Sequence, residues 1–315
     1  MLATMSHNIS ICGSMRLMNL AGMVEQGWKD HARQPEEVAA VLRGAMHQAD
    51  NAQDAADFLR LATHLFGHHL HDWPAARSMA ESVVSQLPAG ADLSGVWLHV
   101  AVAQWMAGDA AAALASQARL IALAPAQSLV THIRFCALVV QALVAARRLT
   151  EAEPLYDALL KLADSAGAEP GCDRALAVAS NNLASQLLDE SALDEAETAL
   201  MLRAARAALH FWQRHGTPVN QPRAHFLLAL VHNKMAQGVA AQEHALTGLQ
   251  LIAAHEPAPV DETFLRLALA HALQLLGDVA ASRQALAQAD AMAAAFEEEG
   301  LQSWYAEERS RLQPA

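Results

Sequence analysis

The chain has 315 residues, of which 53% are hydrophobic but only 5% aromatic and 17% charged, and alanine fills more than a fifth of it. Alanine loses no side-chain entropy in a helix and gives a pleated sheet little to pack, so this composition predicts an all-α protein. Lys plus Arg number 21 against 33 Asp plus Glu, a formal net charge of -12, which leaves no basic footprint for phosphates and argues against nucleic acid as a partner.

In chain order, residues 1–21 lack a basic segment followed by an unbroken apolar one, and they read as a poorly ordered leader rather than a signal peptide. Cys12, Cys136 and Cys172 lie too far apart for a disulfide framework or a metal-binding CxxC, which points to a reducing, cytoplasmic setting. The segments 22–31 and 36–49, joined across Gln34-Pro35, read as a degenerate leading helix pair. The longest apolar run, Phe135 to Ala146, falls short of the roughly 20 residues that cross a bilayer, so no membrane contact is expected.

From residue 57 onward one phrase recurs: a helix, a tight turn and a second helix, with apolar residues at 3.6-residue spacing. The first copy enters its second helix at Trp73-Pro74 and ends at Pro88. The second carries Trp97, Ala101, the turn Gly108-Asp109, Ala113 and Pro125, with Asp109 as N-cap. In the third, Thr150 and Glu153 read as a capping box. The fourth holds Asn181, Asn182, Leu183 and Ala184, then Ala196. The fifth and sixth place Ala229, Ala241, Ala270 and Ser282 at matching points. The small residues Ala76, Ala113, Ala152, Ala196, Ala241 and Ser282 recur about 40 positions apart. Residues 22–300 thus read as one array of helical repeats, and the more charged 301–315 as a capping helix with one wetted face. The acidic run Glu297-Glu298-Glu299 reads as a solvated helix end.

Trp97, Ala101, Ala113 and Pro125 follow part of the tetratricopeptide-repeat pattern, and the chain resembles that family. The Asn-Asn-Leu-Ala segment with the Asp-Glu-Ala-Glu at 194–197 is similar to the longer, roughly 42-residue variety of kinesin light chains and many bacterial regulators. The resemblance implies an α-α superhelix whose first helices line a concave groove. It also implies a role for Asn182, since peptide-binding members use an asparagine there to grip a ligand's backbone or terminal carboxylate. The basic residues of the chaperone-type carboxylate clamp do not fall in the expected helix positions.

On this register the inward residues begin with Leu98, Val102 and Trp105, an apolar stretch that also offers a homodimer contact. Arg134 and Gln141 follow, then Asn181, Asn182 and Ser185, then Arg223, Phe226, Asn233 and Lys234, and last His271 and Gln274. Arg223 and Lys234 are expected to make the later groove mildly basic and fit for a carboxylate. His64 and His68, spaced i, i+4, would share a helix face as two metal ligands can, although no HExxH glutamate lies between them. The plainer reading of His64, His68, His69 and His71 is solvated histidines at a helix end. Cys136 reads as buried and inert, and Cys172 as more exposed. With no nucleophile signature, no catalytic residue, cofactor or metal is expected. The expected function is a non-catalytic scaffold holding a peptide or partner protein in its groove. The alternatives are a sensor for a signal peptide or small molecule and, below it, a metal protein built on the histidines.

Overall fold

The computed structural model describes residues 18–88, 92–165, 167, 169–255 and 257–312. Among these the protein is all-α, without strands, and the chain forms two compact units, Met1–Tyr156 and Asp157–Ala315. Unit 1 holds α1 (Leu20–Asp30), α2 (Pro35–Ala45), α3 (Ala52–Thr63), a π-helical turn (His64–His69), α4 (Trp73–Gln86), α5 (Ser94–Met106), α6 (Ala110–Leu123) and α7 (Ser128–Ala145). The boundary lies within α8 (Leu149–Ser165). Unit 2 continues with α9 (Pro170–Asp189), α10 (Glu195–His215), α11 (Asn220–Lys234), α12 (Gly238–Ala253), α13 (Pro259–Leu275), α14 (Val279–Ala293) and α15 (Glu299–Ser310).

Successive helices pack as hairpins, and the first helices of successive hairpins also touch: α3 with α5 and α5 with α7 in unit 1, α9 with α11 and α11 with α13 in unit 2. The alanine register explains how they come so close. Ala76, Ala101, Ala113, Ala152, Ala184, Ala229, Ala241 and Ala270 are all buried, and a larger side chain at such a crossing forces the helices apart. Ser282 takes the place of an alanine and is held there by its hydroxyl, which donates to Ala270 O at 2.8 Å. Ala196 breaks the expected series. Asp194 caps α10 in a capping box with Glu197, which leaves Ala196 exposed in the first turn.

One turn design recurs in five of the hairpins. The residue just before the second helix's N-cap is left-handed five times, as His71, Gly108, Arg147, Ala236 and Gly277. In four of the five, two backbone bonds close the first helix. In the α5–α6 hairpin they run from Gly108 N to Trp105 O and from Asp109 N to Gln104 O, the paired bonds of a Schellman end. Asp72, Asp109 and Asp278 then cap the second helices, each accepting a backbone N–H at 3.0 Å. Thr150 lies inside the first turn of α8, after Arg148, so the expected capping box there is absent. Because Ala236 sits at φ 54°, where a Cβ costs roughly 1–2 kcal/mol, Ala236→Gly is expected to stabilise unit 2 by about 1 kcal/mol net of the looser unfolded chain. Thermal unfolding checks this as a midpoint rise of about 2–4 °C.

Three other expectations change. Helix α1 starts at Leu20, with Asn19 as its N-cap, inside the segment read as leader; residues 1–17 lie outside the described residues. The segment Pro125–Ala145 is long and apolar enough to cross a membrane, yet 56% of its most apolar window is buried inside the protein, as befits the core helix of unit 1. The acidic run 297–299 stands at the start of α15, with Glu298 as N-cap, where negative charge suits the helix dipole.

Candidate functional site

In unit 2 the first helices α9, α11 and α13 bring most of the late groove residues to one face. Asn181, Ser185, Arg223 and Phe226 line a cavity of about 490 Å³, with Trp304 of α15 on its wall. Asn233, Lys234 and His271 line a neighbouring cavity of about 310 Å³ together with Asp189, Glu308 and Arg311. Phe226, Leu188, Leu230 and Phe264 border both. Trp304 stacks on Phe264 with centroids 3.9 Å apart and keeps 42% of its surface exposed. Asn182 lines neither cavity and is exposed, since one residue along a helix is a rotation of about 100°. Gln274 also lines neither.

The electrostatics of this face overturn the basic groove. Lys234 Nζ donates to Leu188 O at 2.9 Å and to Glu190 O at 2.5 Å. Arg223 Nε donates to Asp261 at 2.9 Å, and Arg311 stands between Glu308, at 3.0 Å, and Asp189, at 3.8 Å. Each cation thus has an acceptor on this face, and Arg311 is shared by two carboxylates. Burial first, then the neighbouring carboxylates Asp189 and Glu307, push the Glu308 pKa up against the pull of Arg311 and a hydrogen bond from Trp304, whereas Asp189 is exposed at the rim. Asn233 is buried and donates through Nδ2 to Ala268 O at 2.9 Å, while its Oδ1 has no partner. The face is therefore apolar and set with acceptors.

In unit 1, Leu98 and Arg134 line a cavity of about 400 Å³ with Thr131 and Leu120. Val102 is buried, Trp105 packs edge-on against Phe135 at 6.1 Å, and Gln141 is half-buried outside that cavity. The apolar patch offered for a homodimer is thus largely spent on unit 1's own core.

The histidines depart furthest from expectation. The segment 64–69 is a π turn, so His64 faces His69 (Nε2 to Nε2 3.2 Å) rather than pairing with His68 alone. His68 turns toward Trp73, centroids 5.7 Å apart. His31, the C-cap of α1, completes a triangle of rings, 5.0 Å from His64 and 4.9 Å from His69. Burial and neighbouring imidazoles lower the His64 pKa to about 3 and that of His68 to about 4, so these are neutral rings, not solvated imidazolium at a helix end.

The two thiols among the described residues are quiet. Cys136 is buried, which pushes its pKa up to about 11. Cys172, expected to be exposed, is fully buried in α9 and donates to Glu169; burial foremost pushes it up to about 12. Sequence reading missed a fully buried carboxylate, Asp173, which accepts from His215 Nδ1 at 2.6 Å and Arg214 Nε at 3.0 Å. A separation of about 42 residues carries no local signal for it.

No family model matches the sequence, and no curated protein matches it. Among solved structures, the crystal structure of BtubC (BKLC) from P. vanneervenii is similar to this chain, at 16% identity and a TM-score of 0.46, covering 78% of this chain and 90% of that one.

Proposed function

We propose that the protein is a non-catalytic scaffold of the tetratricopeptide-repeat kind, working in the cytoplasm, whose α9–α11–α13 face holds a peptide segment of a partner protein. The observation that carries this reading is the acceptor-rich apolar face. Phe226, Leu230 and Trp304 offer a greasy seat, Asp189 and Glu308 set two carboxylates against the single guanidinium of Arg311, and the buried Oδ1 of Asn233 has no donor. A buried acceptor without a donor costs roughly 1–3 kcal/mol, which a ligand N–H recovers on binding. The complementary segment carries an apolar side chain beside a Lys or Arg, the opposite charge to the carboxylate expected from sequence. The half-exposed Trp304 is the expected energetic anchor, as aromatic residues in partly formed pockets commonly are.

Selection of a random peptide display library on the immobilised full chain tests this. Wild type is expected to recover sequences pairing an apolar residue with a basic one. The double variant Asp189→Asn/Glu308→Gln should lose the basic preference, and Trp304→Ala should lose most binding. Acidic consensus sequences, or the same peptides recovered on all three proteins, would refute the reading.

A further inference from the structure

We propose that His31, His64 and His69 form a binding site for one divalent transition-metal ion, Zn²⁺ foremost. One nitrogen from each ring lies within 4.8 Å of the others. The His64 and His69 Nε2 atoms, at 3.2 Å, already stand near the separation of about 3.3 Å that two imidazoles have when both bind a tetrahedral ion at about 2.0–2.1 Å. The His31 ring meets His64 and His69 edge to face, at interplanar angles of 61° and 89°. Three nitrogens converging in this way leave a fourth coordination position open, and an imidazole set suits Zn²⁺, Ni²⁺ or Cu²⁺ rather than Mg²⁺ or Ca²⁺.

Two independent features single out this cluster. His31 Nδ1 is 2.7 Å from the Trp28 carbonyl, which makes Nδ1 the protonated nitrogen and frees Nε2 as a ligand, the outer-shell arrangement typical of metal-bound histidines. The second feature is the backbone. Four sister hairpins end their first helix with a bond from the N-cap N–H back five residues, whereas here Asp72 N reaches back six, to Phe66 O at 2.7 Å. One residue has been inserted, and the helix widens into a π turn to absorb it. In an α-helix, positions i and i+5 are rotated well apart; the wider turn stacks His69 beside His64. Single π turns are uncommon and concentrate at functional sites. The histidines of unit 2 show the contrast: His232 is bound to Gln237 at 2.7 Å and His225 to His244 at 3.0 Å, and among the described residues they form no such triangle.

The ion would tie α1 to the turn after α3, so binding should be visible in stability as well as in stoichiometry. The test uses the full chain purified without a histidine tag and stripped by chelator, titrated with Zn²⁺ against a competing chromophore and with Co²⁺ followed by its visible absorption. One equivalent is expected to bind. His31→Ala, His64→Ala and His69→Ala should each weaken binding by more than about tenfold, since even outer-shell changes cost 10–100-fold. His71→Ala should change nothing. Should a variant fail to fold, the wild-type melting temperature decides: a rise with Zn²⁺ that Mg²⁺ does not produce and chelator reverses supports the site, and no rise overturns it. Binding that survives all three substitutions, or that falls equally with His71→Ala, also overturns it.

Discussion

Asp173→Ala is expected to destabilise unit 2 by about 3 kcal/mol, at the lower end of the 3–5 kcal/mol seen when a buried ion pair loses one partner. The carboxylate has no exposed surface and holds Arg214 and His215 together, while Arg214 itself keeps 22% of its side chain in solvent. That residual hydration is why the lower end applies. The cluster closes the open end of a hairpin. Asp173 stands in the first turn of α9 and the two basic residues in the last turn of α10, so each charge also suits its own helix dipole. Denaturant unfolding of Asp173→Ala, Arg214→Ala and the double variant checks the account. The double variant should lose clearly less than the sum of the singles, because it no longer strands a charge. A surface pair gives the scale for comparison: Arg223, 60% exposed beside Asp261, is worth at most about 1 kcal/mol. A loss for Asp173→Ala no larger than that would show that the cluster is hydrated after all.

What was legible in the sequence is what local chemistry determines. Alanines at the crossings, Gly108 and Gly277 at left-handed turns, and Asp109 as a cap each follow from a few neighbouring residues. The misreadings have the same origin. Thr150 and Glu153 offer a capping-box spacing, but the turn through Arg147 begins α8 earlier. The true box at Asp194 and Glu197 had the same spacing in the sequence and went unread, which put Ala196 at a crossing it does not occupy. Site residues were legible only as to helix and approximate face: Asn181 rather than Asn182 reaches the cavity, a difference of one residue in register. Their charge state was not legible, because the partners of Arg223 and Lys234 come from about 38 to 46 residues away. Nor was the π turn, since nothing in HLFGHH distinguishes one inserted residue from a normal helix end. It shows only against the sister hairpins.

Gly67, inside that turn, carries the second large effect. A Cβ there would lie 2.3–2.6 Å from three carbons of the Trp73 indole, a rigid ring only 7% exposed. Neither the ring nor the turn can give way cheaply, so Gly67→Ala is expected to cost about 2–3 kcal/mol by overpacking. Gly44, in α2, is the matched control: a Cβ there meets nothing within 4 Å. Neither glycine has a positive φ, so backbone conformation does not separate them and only space does. Gly44→Ala should gain about 0.5–1 kcal/mol from helix propensity. Denaturant unfolding of unit 1 should therefore move in opposite directions for the same chemical change. If Gly67→Ala were as stable as Gly44→Ala, Trp73 would not be packed against the turn, and the π geometry that sets His64 beside His69 would lose its support. If it is destabilised as expected, the ring is what fixes the inserted residue in place, and Zn²⁺ affinity should fall in Gly67→Ala although no histidine has been touched.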